Sequence, residues 1–204
     1  MRLEAWGWND LRQRQFEAIP GAGLIPGRVV EEHRTHYQVA TGHGELTAQT
    51  MGRVRNDAEW RSDLPGVGDF VALAPSIGDG PATIEAVLPR TSALIRKASG
   101  KETPQLVAAN VDIVFIVMGL DGDFNLARLE RFLTLVRESG STPVIVANKA
   151  DLSDDAAGMA AQIVKAAPGI AVHTMTANTG AGISSLEAYF EGNKIGRASC
   201  RERV

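Results

Sequence analysis

The segment Asn148-Lys149-Ala150-Asp151 contains the residues best suited to ligand chemistry, and it directly follows a run of apolar residues. Residues 143–151 predict a buried strand that runs into a loop, and α/β sheets bind ligands at the carboxyl ends of such strands. The Asp151 carboxylate can accept hydrogen bonds from the N1–H and the exocyclic amine of guanine, whereas adenine would leave it unpaired. Asn148 can bridge the base and a neighbouring loop, and the Lys149 stem can lie along the ring face. The segment predicts guanine recognition, unless a strand-end loop reads this way by chance.

A second loop supports that prediction. Thr174-Met175-Thr176-Ala177-Asn178 ends the next predicted strand, at the spacing of a strand–helix–strand unit. Parallel strands end at one edge of a sheet, and in guanine-nucleotide-binding proteins such a loop offers a backbone N–H to the guanine oxygen. We therefore predict one nucleotide-binding set from the two loops: Asn148, Lys149, Ala150, Asp151, Thr176, Ala177 and Asn178.

Other reactive motifs are weak or missing from the sequence. Asp63-Leu-Pro-Gly66 has the letters of a magnesium-binding DxxG loop, but its setting favours a turn. Gly-Lys-Ser/Thr occurs nowhere, and Gly100-Lys101-Glu102 lacks the hydroxyl that would bind magnesium. The four histidines have no metal-ligand spacing with cysteine, and no Ser/His/Asp constellation stands out. No catalytic residue and no metal ligand is therefore predicted in this chain.

From residue 105 onward, strand and helix patterns alternate. The continuous apolar run at 111–118 predicts a buried strand, residues 143–151 predict a second buried strand that runs into a loop, and residues 170–178 predict a third strand. Apolar residues recur at helical spacing after a cap at Asp123 or Asn125, and 154–167 and 184–190 are also helical in pattern. This order predicts a parallel α/β sheet. The apolar residues at helical spacing are Leu126, Leu129, Phe132, Leu133 and Val136.

The first half of the chain reads as a short extension followed by a β-barrel. In residues 1–25, Trp6 and Trp8 could stack on bases, but anchoring in a neighbouring core is the favoured interpretation. Residues 26–95 contain several short alternating segments separated by turn residues, as in a small barrel such as the OB-fold. The basic residues at the ends of this segment and just beyond it are either solvated surface or a groove for a phosphate backbone. They are Arg28, His33, Arg34, His36, Arg53, Arg55, Arg61, Arg90, Arg96 and Lys97.

Composition limits the class of protein to which the chain can belong. The net charge of −3 provides no global field for nucleic acid, so any such contact requires a local patch. One cysteine excludes an internal disulfide framework and favours a cytoplasmic protein. No apolar run approaches the roughly 20 residues of a membrane helix, and the N-terminus has no signal-peptide core.

A guanine loop that follows a barrel, with no phosphate loop before it, reverses the usual order. This arrangement resembles the circularly permuted, ribosome small-subunit-dependent GTPases called RsgA or YjeQ, over nearly all of residues 1–193. The segments that carry the resemblance are Pro65–Phe70, Leu88–Thr91, Ala109–Asp112, Gly119–Asn125, Leu129–Leu133 and Asn148–Leu152.

The resemblance implies an OB-fold at 26–95 that contacts 16S ribosomal RNA, and the N-terminal part of a permuted P-loop GTPase domain at 105–193. It also implies GTP with Mg²⁺, a C-terminal zinc domain, a monomer, and GTP hydrolysis stimulated by the 30S subunit late in its maturation. Asn148, Lys149 and Asp151 match the guanine-reading positions. Thr176-Ala177 match the family's Ser-Ala loop, whereas Asn178 stands where many GTPases have lysine.

Residues 194–204 depart from the family pattern. KIGRASCRERV has no apolar period and is similar to a translated sequencing-library adaptor, the alternative being a natural basic tail. We therefore expect a non-native tail that replaces the phosphate loop, the switch regions and the zinc domain. The strand at 111–118 would then have an open edge.

Three functions remain: a GTPase for small-subunit assembly, with this chain itself inactive; an rRNA-binding module without catalysis; and an unrelated guanine-binding scaffold, which the barrel motifs disfavour.

Overall fold

The computed structural model describes residues 3–52, 54, 59–76, 78, 80–97 and 104–199. The chain divides into two compact units, Met1–Asn110 and Val111–Val204. Residues 105–110, which the sequence pattern assigned to the second domain, belong to the first unit. They form strand β7 (Pro104–Ala109), which pairs antiparallel with β6 (Ala93–Lys97).

The first unit is built on a closed five-stranded barrel, as predicted. Its strands are β1 (Ile25–Glu32), β2 (Tyr37–Thr41), β3 (Gly44–Thr50), β4 (Phe70–Ala74) and β5 (Ala82–Val87). They close in the order β1-β2-β3-β5-β4, and only the β3–β5 pair is parallel. Alternating side chains fill the interior, among them Val29, Val39, Leu73 and Ile84.

The N-terminal extension packs against this unit. A 3-10 turn (Leu3–Trp6) precedes helix α1 (Asp10–Glu17), which begins after Asn9, whose side chain accepts the Arg12 N–H. The Trp8 ring contacts Phe70 edge-on, with centroids 5.7 Å apart. Trp8 therefore packs on the barrel, as favoured over base stacking.

Two basic residues proposed for a phosphate groove are structural instead. Arg28 is buried and donates hydrogen bonds to the carbonyl oxygens of Gly68 and Asn110, both at 3.2 Å. Arg90 binds both carboxylate oxygens of the fully buried Asp69, at 2.8 and 2.7 Å. Arg28 is buried and Arg90 is only 18% exposed, and the hydrogen bonds of both guanidinium groups are made within the barrel unit. Arg53 and Arg55 lie outside the described residues.

The second unit is a parallel sheet flanked by helices, as predicted. Its strands β8 (Ile113–Gly119), β9 (Thr142–Asn148), β10 (Val172–Thr174) and β11 (Ile195–Ser199) lie in the order β10-β9-β8-β11. Helix α2 (Leu126–Glu138) is capped by Asn125 and buries Leu129, Phe132, Leu133 and Val136. Helix α3 (Ala156–Ala166) follows β9. A 3-10 helix (Ile183–Tyr189) follows β10.

Strand β11 differs from the sequence expectation, which assigned no regular element to residues 194–204. It pairs with β8 from Ile195–Ile113 to Ser199–Val117, so the expected open edge of β8 is covered. The Lys194 N–H donates to the Asp112 carboxylate at 2.8 Å, and the small Ala198 side chain is buried. The pairing comes from the neighbouring strand, because the segment itself has no apolar period. Its non-native origin stays a prediction.

None of the helices in the described part of the chain is long and apolar enough to cross a membrane.

Candidate guanine-binding site

The backbone turns sharply where β9 ends. Asn148 is the last residue of the strand, and Lys149 adopts a left-handed conformation with φ 64°. That conformation costs a non-glycine residue roughly 1–2 kcal/mol, so contacts around Lys149 must hold it. A 3-10 turn (Ala150–Leu152) follows, and it leaves the Asp151 side chain exposed.

The structure brings the two predicted loops together. The Asn148 Oδ1 accepts a hydrogen bond from the Ala177 N–H at 3.0 Å. The backbone adds two links, because the Met175 N–H donates to Ala147 at 2.9 Å and the Ala150 N–H donates to Met175 at 3.3 Å. The predicted site residues therefore form one cluster at the carboxyl ends of β9 and β10, the position at which open α/β sheets bind ligands.

The second loop is a tight turn built around the buried Thr176. The Thr176 N–H donates to Ala181 at 2.9 Å, and its carbonyl accepts the Gly180 N–H at 3.0 Å. Ala177 and Asn178 are exposed at the tip. Since the N–H groups of Thr176 and Ala177 are engaged in hydrogen bonds, the Asn178 N–H is the remaining candidate donor to a guanine oxygen among these three residues.

Asp121 lies beside the predicted site residues, although its type and spacing did not mark it in the sequence. Its carboxylate forms an ion pair with the Lys149 ammonium. It lies two residues beyond the end of β8, the strand next to β9, and inside the Gly119–Asn125 segment. Its position just after a central strand was the available signal, but its partner is 28 residues away in sequence.

The arrangement is suited to reading a base and offers nothing for phosphate chemistry. The Asp151 carboxylate has no hydrogen-bond partner among the described residues, so both oxygens can accept from a ligand. Asp63 accepts the N–H groups of Glu59 at 3.1 Å and Trp60 at 2.9 Å, so the DxxG-like segment is a turn, as interpreted. Across the described ranges, no three His, Cys, Asp or Glu residues are grouped to hold a metal ion.

Comparison with known proteins agrees with this architecture. The protein-family model for the RsgA GTPase matches residues 87–196. The Small ribosomal subunit biogenesis GTPase RsgA of Opitutus terrae is 40% identical over 93% of this chain, and its counterpart RsgA 2 of Lactiplantibacillus plantarum is 41% identical over 82%. The chain spans about half the length of these curated relatives, 54% and 47% respectively.

Two solved structures share the fold. YjeQ from Thermotoga maritima superposes with a TM-score of 0.65 at 26% identity, covering 86% of this chain and 60% of that protein. YloQ, described as a circularly permuted GTPase, gives a TM-score of 0.62 at 21% identity over 87% of this chain and 60% of its own. With a barrel followed by a parallel sheet, and a family match over more than half of its residues, the chain belongs to the RsgA GTPase family.

Proposed function

We propose that the whole protein hydrolyses GTP during small ribosomal subunit biogenesis, and that this chain supplies the part that reads the guanine base. One observation carries the proposal. Two loops at neighbouring strand ends are joined through Asn148 and Ala177, and they leave the Asp151 carboxylate exposed beside them.

Base selection follows from the chemistry of these side chains. Asp151 accepts the guanine N1–H and exocyclic amine, and the Asn178 N–H donates to the guanine oxygen. The Lys149 stem covers one face of the ring, because its ammonium is held at Asp121. Adenine offers Asp151 no matching pair of donors, so its binding would leave the carboxylate unpaired.

The ions belong to other parts of the whole protein in this proposal. Mg²⁺ accompanies the nucleotide phosphates, and Zn²⁺ belongs to a C-terminal domain. Neither ion is assigned to a residue of this chain in this proposal. The proposed partners are the 30S subunit, its 16S rRNA, and GTP or GDP. The names of the curated relatives support the subunit as a partner. We propose a cytoplasmic monomer.

The test of the enzymatic proposal uses a longer protein that contains this segment. We expect phosphate release from GTP, little release from ATP, and stimulation by purified 30S subunits. Asn148→Ala should raise the KM for GTP because it separates the two guanine loops. Equal turnover of ATP, or turnover indifferent to 30S subunits, would contradict the proposal.

A second candidate function, an rRNA-binding module, is favoured by one face of the barrel. A cavity of about 560 Å³ lies between β3 and the loop that joins β4 to β5, and His36, Thr47, Gln49 and Ser76 are among the residues that line it. The adjoining β1–β2 loop stacks His33 on His36, with ring centroids 4.4 Å apart, and exposes Arg34. Strands and loops on this side of an OB-type barrel bind oligonucleotides in other proteins.

Filter binding of the 204-residue chain to 30S subunits tests this candidate. Arg34→Gln should weaken binding and flatten its salt dependence, because a phosphate contact releases counterions. Arg131→Gln makes the same charge change at an exposed position of helix α2 and should have little effect on binding. Binding that does not vary with salt, or equal losses in the two variants, would count against RNA contact by this face.

A further inference from the structure

The ion pair between Asp121 and Lys149 is sheltered and connects two loops. The side chains of Asp121 and Lys149 are 19% and 32% exposed, so solvent screens the pair less than a surface ion pair. Beside it, the Leu120 N–H donates to the Asn148 carbonyl at 2.8 Å. The loop after β8 therefore contacts the loop after β9 through both a side chain and the backbone.

The Asp121 carboxylate is fixed from its other side. Its Oδ1 accepts the Asp123 N–H at 3.2 Å, so the oxygen that does not bind Lys149 is also engaged. Gly119 leaves the space that this carboxylate occupies, because a Cβ there would lie 2.5 Å from Asp121 Oδ1. An alanine at 119 must therefore displace the carboxylate or the strand end.

Lys149 needs such an anchor for two reasons. Its left-handed backbone is unfavourable for lysine, and its long side chain would otherwise sample many rotamers. We infer that Asp121 is a positioning residue for the guanine site, which holds the Lys149 ammonium so that the lysine stem is already placed along the base face. This inference rests on the proposed guanine site and deepens it.

Asp121 is expected to preorganise the Lys149 stem without itself contacting the base. Asp121 reaches Lys149 through the ammonium, so it acts on ligand affinity through the order of the lysine stem. Guanine selectivity should not change, because Asp151 and the Asn178 N–H read the base edge. Removing the Asp121 carboxylate should therefore weaken the binding of guanosine monophosphate and of inosine monophosphate by the same factor.

The experiment is a titration of the 204-residue chain with guanosine 5′-monophosphate, followed by NMR shifts of the amides at 148–151 and 176–178. Asp121→Asn should raise the Kd about fivefold, as for the loss of a partly buried ion pair. Gly119→Ala should weaken binding comparably without changing the charge. Asp154→Asn removes an exposed carboxylate near the site and should leave the Kd unchanged.

A double-mutant cycle separates positioning from general stabilisation. Lys149→Met keeps the stem and removes the ammonium, so adding Asp121→Asn to it should cost no further affinity if Asp121 acts through that ammonium. Additive losses would overturn the inference. Shifts of folded-state peaks report binding by folded molecules only, so a lowered melting temperature does not mimic the effect.

The outcomes of these titrations also distinguish the positioning role of Asp121 from the proposed guanine-binding function on which it rests. No shifts with the wild-type chain would overturn the guanine site, and the inference with it. Wild-type binding that Asp121→Asn and Gly119→Ala leave intact would overturn the positioning role alone.

Discussion

Asn148 joins the two loops of the candidate site through one side-chain oxygen. Its Oδ1 accepts the Ala177 N–H at 3.0 Å, and its own carbonyl accepts the Leu120 N–H at 2.8 Å. The side chain thus ties β9 to the loop after β10, and the backbone ties it to the loop after β8. Asn148 therefore contacts both neighbouring loops, one through its side chain and the other through its backbone carbonyl.

Asn148→Ala should therefore destabilise the second unit by about 1 kcal/mol, because it leaves the Ala177 N–H without its acceptor. Circular-dichroism melting is the measurement. Asn148→Asp is the matched control, since its carboxylate keeps an acceptor at the same place and should preserve stability. Equal melting temperatures of the two variants would show that the Asn148 Oδ1 does not stabilise the unit by linking the loops.

Arg90 supports a second residue-scale prediction, in the barrel unit. Asp69 is completely buried, so Arg90→Met should cost roughly 3–5 kcal/mol by leaving that carboxylate unpaired. Arg61→Met removes a surface pair with Glu32, at 3.5 Å, and should cost about 0–1 kcal/mol. All three tryptophans lie in residues 1–110, so urea unfolding followed by tryptophan fluorescence reports on this unit. Similar losses of stability in the two variants would contradict a structural role for the Arg90–Asp69 pair.

The sequence predicted which residues of the two loops would lie together, but it did not predict the ion pair beside them. Asn148 and Asp151 were recognisable because their types and order match the donors and acceptors of guanine. Asp121 was not, since its pairing depends on two strands that lie side by side. The structural roles of Arg28 and Arg90 were missed for the same reason: charge alone does not distinguish a guanidinium that binds groups within the fold from one in solvent.

The elements of the second unit follow their sequence patterns unevenly. Strand β8 and helix α2 were predicted closely, because an apolar run and a helical apolar period are strong local signals. Residues 184–190 were predicted to start a helix, and Ile183–Tyr189 form one of the 3-10 type. Strand β10 is three residues long, Val172–Thr174, and so much shorter than the predicted 170–178. Strand β11 had no local signal, since its pairing depends on β8.

The pairing of β11 makes an element-scale prediction. Truncation after Lys194 should speed hydrogen exchange of the β8 amides by at least about tenfold, because β8 loses the ladder along one edge. Truncation after Ser199 retains the strand and serves as the control. Unchanged exchange in the shorter chain would show that β11 does not stabilise β8.

The 204-residue chain combines a barrel with a sheet edge that we propose reads a base, and its sequence has no phosphate-binding motif. Since phosphoryl transfer depends on charge neutralisation around the γ-phosphate, the 204-residue chain should release no phosphate from GTP, with or without 30S subunits. It should bind GTP only at about millimolar concentration, hardly better than the monophosphate. A phosphate-release assay and a fluorescent-GTP titration measure both. Micromolar GTP binding would contradict this expectation.

Guanine recognition by Asp151 is proposed, and replacing one atom of its carboxylate tests that proposal most directly. Asp151→Asn replaces an acceptor oxygen by a donor NH₂, which suits the carbonyl that xanthine carries where guanine has its amine. NMR titration of the 204-residue chain with guanosine and xanthosine monophosphates is the measurement. We predict that the wild-type chain prefers the guanosine nucleotide and that Asp151→Asn prefers the xanthosine nucleotide. An unchanged preference in the variant, or equal binding of both nucleotides by the wild type, would contradict the account.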